Sequence, residues 1–127
     1  MTPLHKFTLE FPLQVSPRLL FTLISTAEGL ARWFADKVNV KEDMFYFEWE
    51  GSEQSAKLVE CKEDEYVRFQ WTDDNHEGKL MELRINHEPV SGEAALVVSD
   101  YTEDSDMEFS QMWWNTQVGR LQRLFNN

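Results

Sequence analysis

The sequence predicts an α+β fold: a curved antiparallel sheet wrapped around one long C-terminal helix. Three observations carry this. Apolar residues alternate at period two in several short stretches separated by turn residues, the pattern of an antiparallel meander with one buried face. Two short helix signals follow the first of these stretches. The chain then closes on a segment whose apolar residues recur at helical spacing behind a capping signal.

Residues 5–13 place His5, Phe7, Leu9, Phe11 and Leu13 on one side, and Lys6, Thr8, Glu10 and Pro12 on the other. Pro12 has no N–H to give a neighbouring strand, so this strand is expected to end there or to lie at an edge. Ser16-Pro17 starts a short helix over 17–24, with serine as N-cap and proline at the first helical position. Ser25 and Glu28 have capping-box spacing for a second short helix, with Thr26 as the alternative cap. That helix carries Leu30, Trp33 and Phe34 at i, i+3 and i+4.

Strands are expected at 44–50, 55–61, 66–71, 79–87 and 93–101. Residues sharing one face are Phe45, Phe47 and Trp49; Val67, Phe69 and Trp71; and Met81, Leu83 and Ile85 with His87, which reads as a strand-end histidine exposed to water or bonded locally. Gly51-Ser52, residues 62–65, the loop 73–78 and the Pro89 to Gly92 turn punctuate them. The last helix spans about 20 residues, roughly 30 Å at 1.5 Å per residue. Ser105 and Glu108 are its expected capping box, and Arg120 and Arg123 suit its C-terminal dipole end. Trp113, Trp114, Val118, Leu121, Leu124 and Phe125 form a broad apolar face, with Ser110 and Gln117 in its middle.

Composition excludes several functions. With a formal charge of −11 the chain has no basic stripe for nucleic acid or for an anionic membrane surface. No apolar run approaches the length of a membrane span, so no membrane insertion is expected. Cys61 is the only cysteine, which rules out an intrachain disulfide and fits a reducing, cytoplasmic setting. The N-terminal residues lack an apolar signal region. His5, His76 and His87 are scattered, without the spacing of a zinc site. No metal and no cofactor are expected. The acidic residues Asp100, Glu103, Asp104, Asp106 and Glu108 lack the glycine and spacing of a calcium loop and read as a solvated helix start.

The order strand, two short helices, meander, long helix has a packing consequence. A sheet that curls around the helix closes the core, the short helices plug one end, and a cavity between helix and sheet is a natural ligand site. Three stretches carry a family resemblance: residues 25–34 (Ser-Thr-Ala-Glu-Gly-Leu-Ala-Arg-Trp-Phe), residues 67–71 (Val-Arg-Phe-Gln-Trp), and the Trp113-Trp-Asn-Thr-Gln-Val-Gly-Arg region running on to Leu124. With the element order, they resemble the helix-grip fold of the START-like, or Bet v1-like (SRPBCC), superfamily. The similarity is greatest to its activator-of-Hsp90-ATPase homologue (Aha1-like) branch. The resemblance implies one START-like domain over residues 1–127. Relatives in that branch often carry more chain between the last strand and the long helix, which helps cover the pocket. Here that stretch is short, which counts against a large enclosed lipid site.

The resulting expectation is a non-enzymatic domain binding a small hydrophobic ligand between the long helix and the sheet. Gln117, Trp113, Trp71, Phe69 and Leu83 are the expected walls, with Trp33 and Phe34 near the plug. Gln117 reads either as a polar anchor for the ligand or as a side chain bonded to a strand or a buried water. The aromatic residues read either as cavity walls or as packed core. The alternative function is a protein-interaction or co-chaperone-like module, in homodimeric form or with another protein, using Phe109, Met112 and Trp114. A third reading, a cyclase- or hydrolase-type enzyme, requires a titratable pair that the sequence does not show.

Overall fold

The computed structural model describes residues 3–125. The chain runs β1 (Leu4–Leu13), α1 (Pro17–Ser25), α2 (Ala27–Leu30), β2 (Lys37–Lys41), β3 (Met44–Trp49), β4 (Ser52–Lys62), β5 (Tyr66–Trp71), β6 (Leu80–His87), β7 (Ala94–Glu103) and α3 (Met107–Arg123). The seven strands form one antiparallel sheet in the order β1-β7-β6-β5-β4-β3-β2. Pro12 does lie on an edge strand, since β1 pairs only with β7.

Turn chemistry sets the register. Trp49 pairs with Ser52, and the two residues between them, Glu50 and Gly51, have φ of 48° and 84°. Two consecutive left-handed residues match the twist of a tight hairpin, and glycine adopts such a conformation without strain. The register of β4 on β5 shifts between Leu58 and Glu60, so Val59 is an extra residue that bends the strand. The bend contributes to a sheet curved enough for both of its margins to reach the helix. Phe7, on edge strand β1, and Trp49, on the strand beside the opposite edge, both wall the same space against α3.

β2 is an addition to the sequence expectation. Its Lys-Val-Asn-Val-Lys run offers two apolar residues and is mostly exposed. The pattern is too weak to show a buried face, and lysines at both ends suit an unpaired sheet edge.

The helix starts also differ in part. Ser16 caps α1 as expected, accepting from the Leu19 N–H at 3.2 Å. For α2 the cap is Thr26, whose Oγ1 accepts from the Gly29 N–H at 2.9 Å, while Ser25 ends α1 and donates to the Phe21 carbonyl. The α2 helix closes after Leu30. Trp33 and Phe34 follow in a turn whose N–H groups, with that of Ala35, converge on the Leu30 carbonyl. At α3 the Ser105–Glu108 box does not form. Asp104–Asp106 make a 3-10 turn directly off β7, and α3 starts without a side-chain cap.

The turn after α2 is the plug. Trp33 Nε1 donates to the Leu23 carbonyl at 2.9 Å, and Trp49 Nε1 donates to the Phe34 carbonyl at 2.7 Å. The Phe34 ring lies edge-on to Phe47, Trp49 and Trp113, at centroid distances of 5.0, 5.3 and 5.7 Å. These are the separations at which aromatic quadrupoles attract. One buried ring thus joins the plug, the sheet and α3. The inner face of α3 contributes Trp114, Val118 and Leu121 to the core.

Candidate functional site

Past Phe34, toward the start of α3, the core gives way to a cleft of about 370 Å³. Phe109, Ser110, Trp113 and Trp114 of α3 form one wall. The sheet supplies Phe7 of β1, Trp49 of β3, Ser52 and Gln54 of β4, Trp71 of β5, and Asp100 to Thr102 of β7. Asp73 and His76, from the loop after β5, close its rim. An adjoining depression of about 500 Å³ shares Gln54, Trp71, Asp73 and His76 but has no α3 wall.

Asp100 is the residue that sets the chemistry of this cleft. Along β7, Ala94, Leu96 and Val98 point into the core, and period two puts Asp100 next in that row. It is 8% exposed. Its Oδ1 accepts from the Tyr101 N–H at 2.9 Å. Burial pushes the carboxyl up from its usual 3.8 to about 6, against smaller opposing pulls from that N–H, from His76 and from the Trp71 side chain. The expectation that Asp100 belongs to a solvated acidic helix start is therefore corrected. The other acidic residues of that run stay at the surface or half-buried, but Asp100 faces inward.

His76 is fixed on both sides. Its Nδ1 lies 2.7 Å from Asp73 Oδ2 and its Nε2 lies 3.1 Å from the Tyr101 carbonyl. Both ring nitrogens point at acceptors within the protein, so neither is directed at a ligand in the cleft. The loop that carries His76 is itself held by Gln70, whose Nε2 donates to the His76 carbonyl at 2.5 Å and whose Oε1 accepts from the Gly78 N–H at 3.0 Å. Ser110 Oγ donates to Thr102 Oγ1 at 3.0 Å, tying the first turns of α3 to the end of β7.

Of the residues expected to form the site, the structure brings two into the cleft, Trp71 and Trp113. Phe69, Leu83, Trp33 and Phe34 lie in the packed core beneath it. Gln117 is 5% exposed, one turn of α3 beyond the cleft wall, and its Oε1 has no hydrogen-bond partner among the described residues. Phe109 and Met112 are 69% and 62% exposed, as their position off the apolar helix face implies, whereas Trp114 is buried. The sequence pattern offers Trp49 as one of several aromatics able to line a cavity but does not place it with Asp100 or His76. The signal for Asp100 was available as the period-two continuation of Leu96 and Val98. Nothing local to His76 or Trp49 marks either as a neighbour of it.

This combination of a curled seven-stranded sheet, two short helices after the first strand and a gripped C-terminal helix defines a helix-grip fold. The chain belongs to the START-like superfamily: the START-like superfamily domain family matches residues 1–126. Solved structures agree. The Aha1 dimer from Colwellia psychrerythraea matches with a TM-score of 0.80 at 14% identity, over 93% of each chain. The AHSA1-like protein from Aeromonas hydrophila has a TM-score of 0.73 at 15% identity, over 94% of this chain and 90% of that one. A Bacteroides fragilis protein solved in solution is 29% identical, with a TM-score of 0.65, over 98% of this chain and 92% of that one. No curated protein matches. No helix among the described residues is long and apolar enough to cross a membrane.

Proposed function

We propose that residues 1–127 form one cytoplasmic, non-enzymatic START-like domain, and that it binds a small, largely hydrophobic molecule in the cleft between the start of α3 and the sheet. The single observation that carries this is the composition of the cleft. It joins Trp49, Trp71, Trp113 and Phe109 to a few polar groups at about 370 Å³. Ligand sites are typically apolar concavities of roughly this size with a few placed polar groups. Its open side admits a ligand without unfolding a lid, and it matches the short connection between β7 and α3. Binding is favoured over catalysis because Asp100 has no titratable side chain hydrogen-bonded to it, and His76 is tied to Asp73 and a carbonyl.

The test is amide chemical-shift mapping during titration with a panel of lipids, aromatics and metabolites, supported by thermal shift. Shifts concentrated at Ser52, Asp100, Thr102 and Ser110 are expected. No response to any compound, or shifts confined to another surface, would overturn the reading.

A second reading has its own observation. Phe109 and Met112 lie one turn apart on α3 and are both well exposed, and the Colwellia relative is described as a dimer. A homodimer or protein partner docking on this edge is the interaction-module alternative. Light scattering after size exclusion checks it: a dimer lost in Met112→Lys supports it, and a wild-type monomer at high concentration removes the homodimer.

A further inference from the structure

We infer that the ligand of this cleft, taken as the binding site proposed above, is an amine: an apolar or aromatic body carrying one protonated nitrogen that sits against Asp100. Two observations on the cleft lead there independently.

The first is the sign of its charges. Among the described residues, no lysine or arginine lines the cleft. Its charged side chains are the Asp100 and Asp73 carboxylates, and the one ring that can carry positive charge, His76, already lies against Asp73 at 2.7 Å. A fatty acid or other carboxylate would bring a third negative group to a site with no free cation to receive it. A cation, by contrast, meets Asp100, a buried carboxylate that no salt bridge among the described residues neutralises. In a desolvated setting an opposite charge is worth far more than in water.

The second is the wall. Trp49 and Trp113 are in edge contact at 5.5 Å, Trp113 and Trp114 at 5.2 Å, and Trp71 and Phe109 complete the lining. Aromatic π-systems grouped around a small space attract ammonium groups, tryptophan most of all. Indole and phenyl rings alone would suit any greasy ligand, and a carboxylate alone would suit any solvated cation. Their juxtaposition selects a molecule with both features. Burial raises the proton affinity of Asp100 by more than the Tyr101 N–H, His76 and the Trp71 side chain lower it, so a further positive charge beside the carboxylate would be favourable. The formal charge of −11 adds a long-range attraction for cations and a repulsion for anions.

The test uses three probes with one body: 4-phenylbutylamine, 4-phenylbutanol and 4-phenylbutanoate, titrated into the full chain by calorimetry and amide chemical-shift mapping at neutral pH and about 150 mM salt, where exposed charges are screened beyond about 8 Å. The expected order is amine, then alcohol, then carboxylate, with the amine at least about tenfold tighter than the alcohol, as a partly desolvated cation–π contact and one ion pair imply. In Asp100→Asn the amine should lose its advantage, so that amine and alcohol bind within about threefold of each other. If the alcohol or the carboxylate binds as tightly as the amine in the same cleft, amine selection is overturned and the cleft remains a binding site. If none of the three binds in the cleft, both the site and its selectivity fall. If Asp100→Asn keeps the amine preference, the carboxylate is not its source and the inference is overturned. The wild-type series decides the selectivity even if that variant folds poorly.

Discussion

Replacing Asp100 by Asn keeps the side-chain shape and the acceptor for the Tyr101 N–H but removes the ionisable group. The folded protein holds this carboxyl at about 6, against an ordinary 3.8. Between those values the folded state binds the proton that the unfolded chain has released, so stability falls as pH rises. The contribution of Asp100 is therefore fully present below about 3.8 and is lost as pH rises through about 6. At about 1.36 kcal/mol per pH unit, the destabilisation above that window approaches roughly 3 kcal/mol. Asn carries no charge at any pH and escapes it. Asp100→Asn should therefore be close to wild type in stability near pH 3.5 and more stable by about 2–3 kcal/mol near pH 7.5. In melting temperature the gain at pH 7.5 is roughly 7–11 °C for a chain of this length. Urea titrations followed by tryptophan fluorescence, run on both proteins across this pH range, give the difference directly. Other carboxylates titrate in both proteins and cancel. A stability difference that is flat with pH, or that favours the wild type at pH 7.5, would show that Asp100 is solvated or already paired and would refute the buried-carboxylate account.

Three further perturbations probe the frame around the cleft. Gln117→Met removes a buried oxygen that lacks a partner while keeping an unbranched side chain of similar size; a gain of about 1–2 kcal/mol, or roughly 4–8 °C in a thermal melt, is expected, and a clear loss would mean that the amide has a partner in solution. Gly29→Ala should cost about 1–3 kcal/mol in urea unfolding, because an added Cβ would press on the Thr22 carbonyl and sit 2.7 Å from the Leu23 Cα where α2 turns against α1; a neutral result would show that the two helices separate easily. On the outer face, desolvation raises the Glu82 carboxyl, but hydrogen bonds from Arg84 and Arg68 outweigh it and hold the carboxyl low, with Arg68 Nε at 2.7 Å and Arg84 Nε at 2.9 Å. The stability this provides is present at neutral pH and lost as acid protonates the group, so Glu82→Gln should cost up to about 1 kcal/mol at pH 7 and progressively less toward pH 3 or in high salt; a pH-independent cost would point to packing.

Much of the frame was legible because it is local. The alternation of Val67, Phe69 and Trp71 marks β5 with its observed bounds, and the helical spacing from Trp114 through Val118 to Leu121 marks the buried side of α3. Where local signals compete, the sequence leaves a choice. Ser25 and Thr26 are both acceptable caps, and the structure uses Thr26 because Ser25 still belongs to α1. Ser105 has capping-box spacing, but the chain leaves β7 through a 3-10 turn and the box never closes. Asp100 shows the same limit at the site. Its neighbours in the chain are an acidic run, whereas in space it shares a cleft with Trp71, Phe109 and Trp113.

By itself, then, the sequence determined the fold class and the core rows of β1, β3, β5 and β6, since each follows from periodicity and turn chemistry within a few residues, and three short stretches carried the family resemblance. Only the tertiary structure decided which aromatics pack and which wall a cleft, and it alone brought a carboxylate from β7 into one cleft with tryptophans from β3, β5 and α3. The reason is geometric. Strand register and sheet curl fix contacts between residues tens of positions apart, and no local preference of the chain encodes how far a sheet must bend before its two margins meet the same helix.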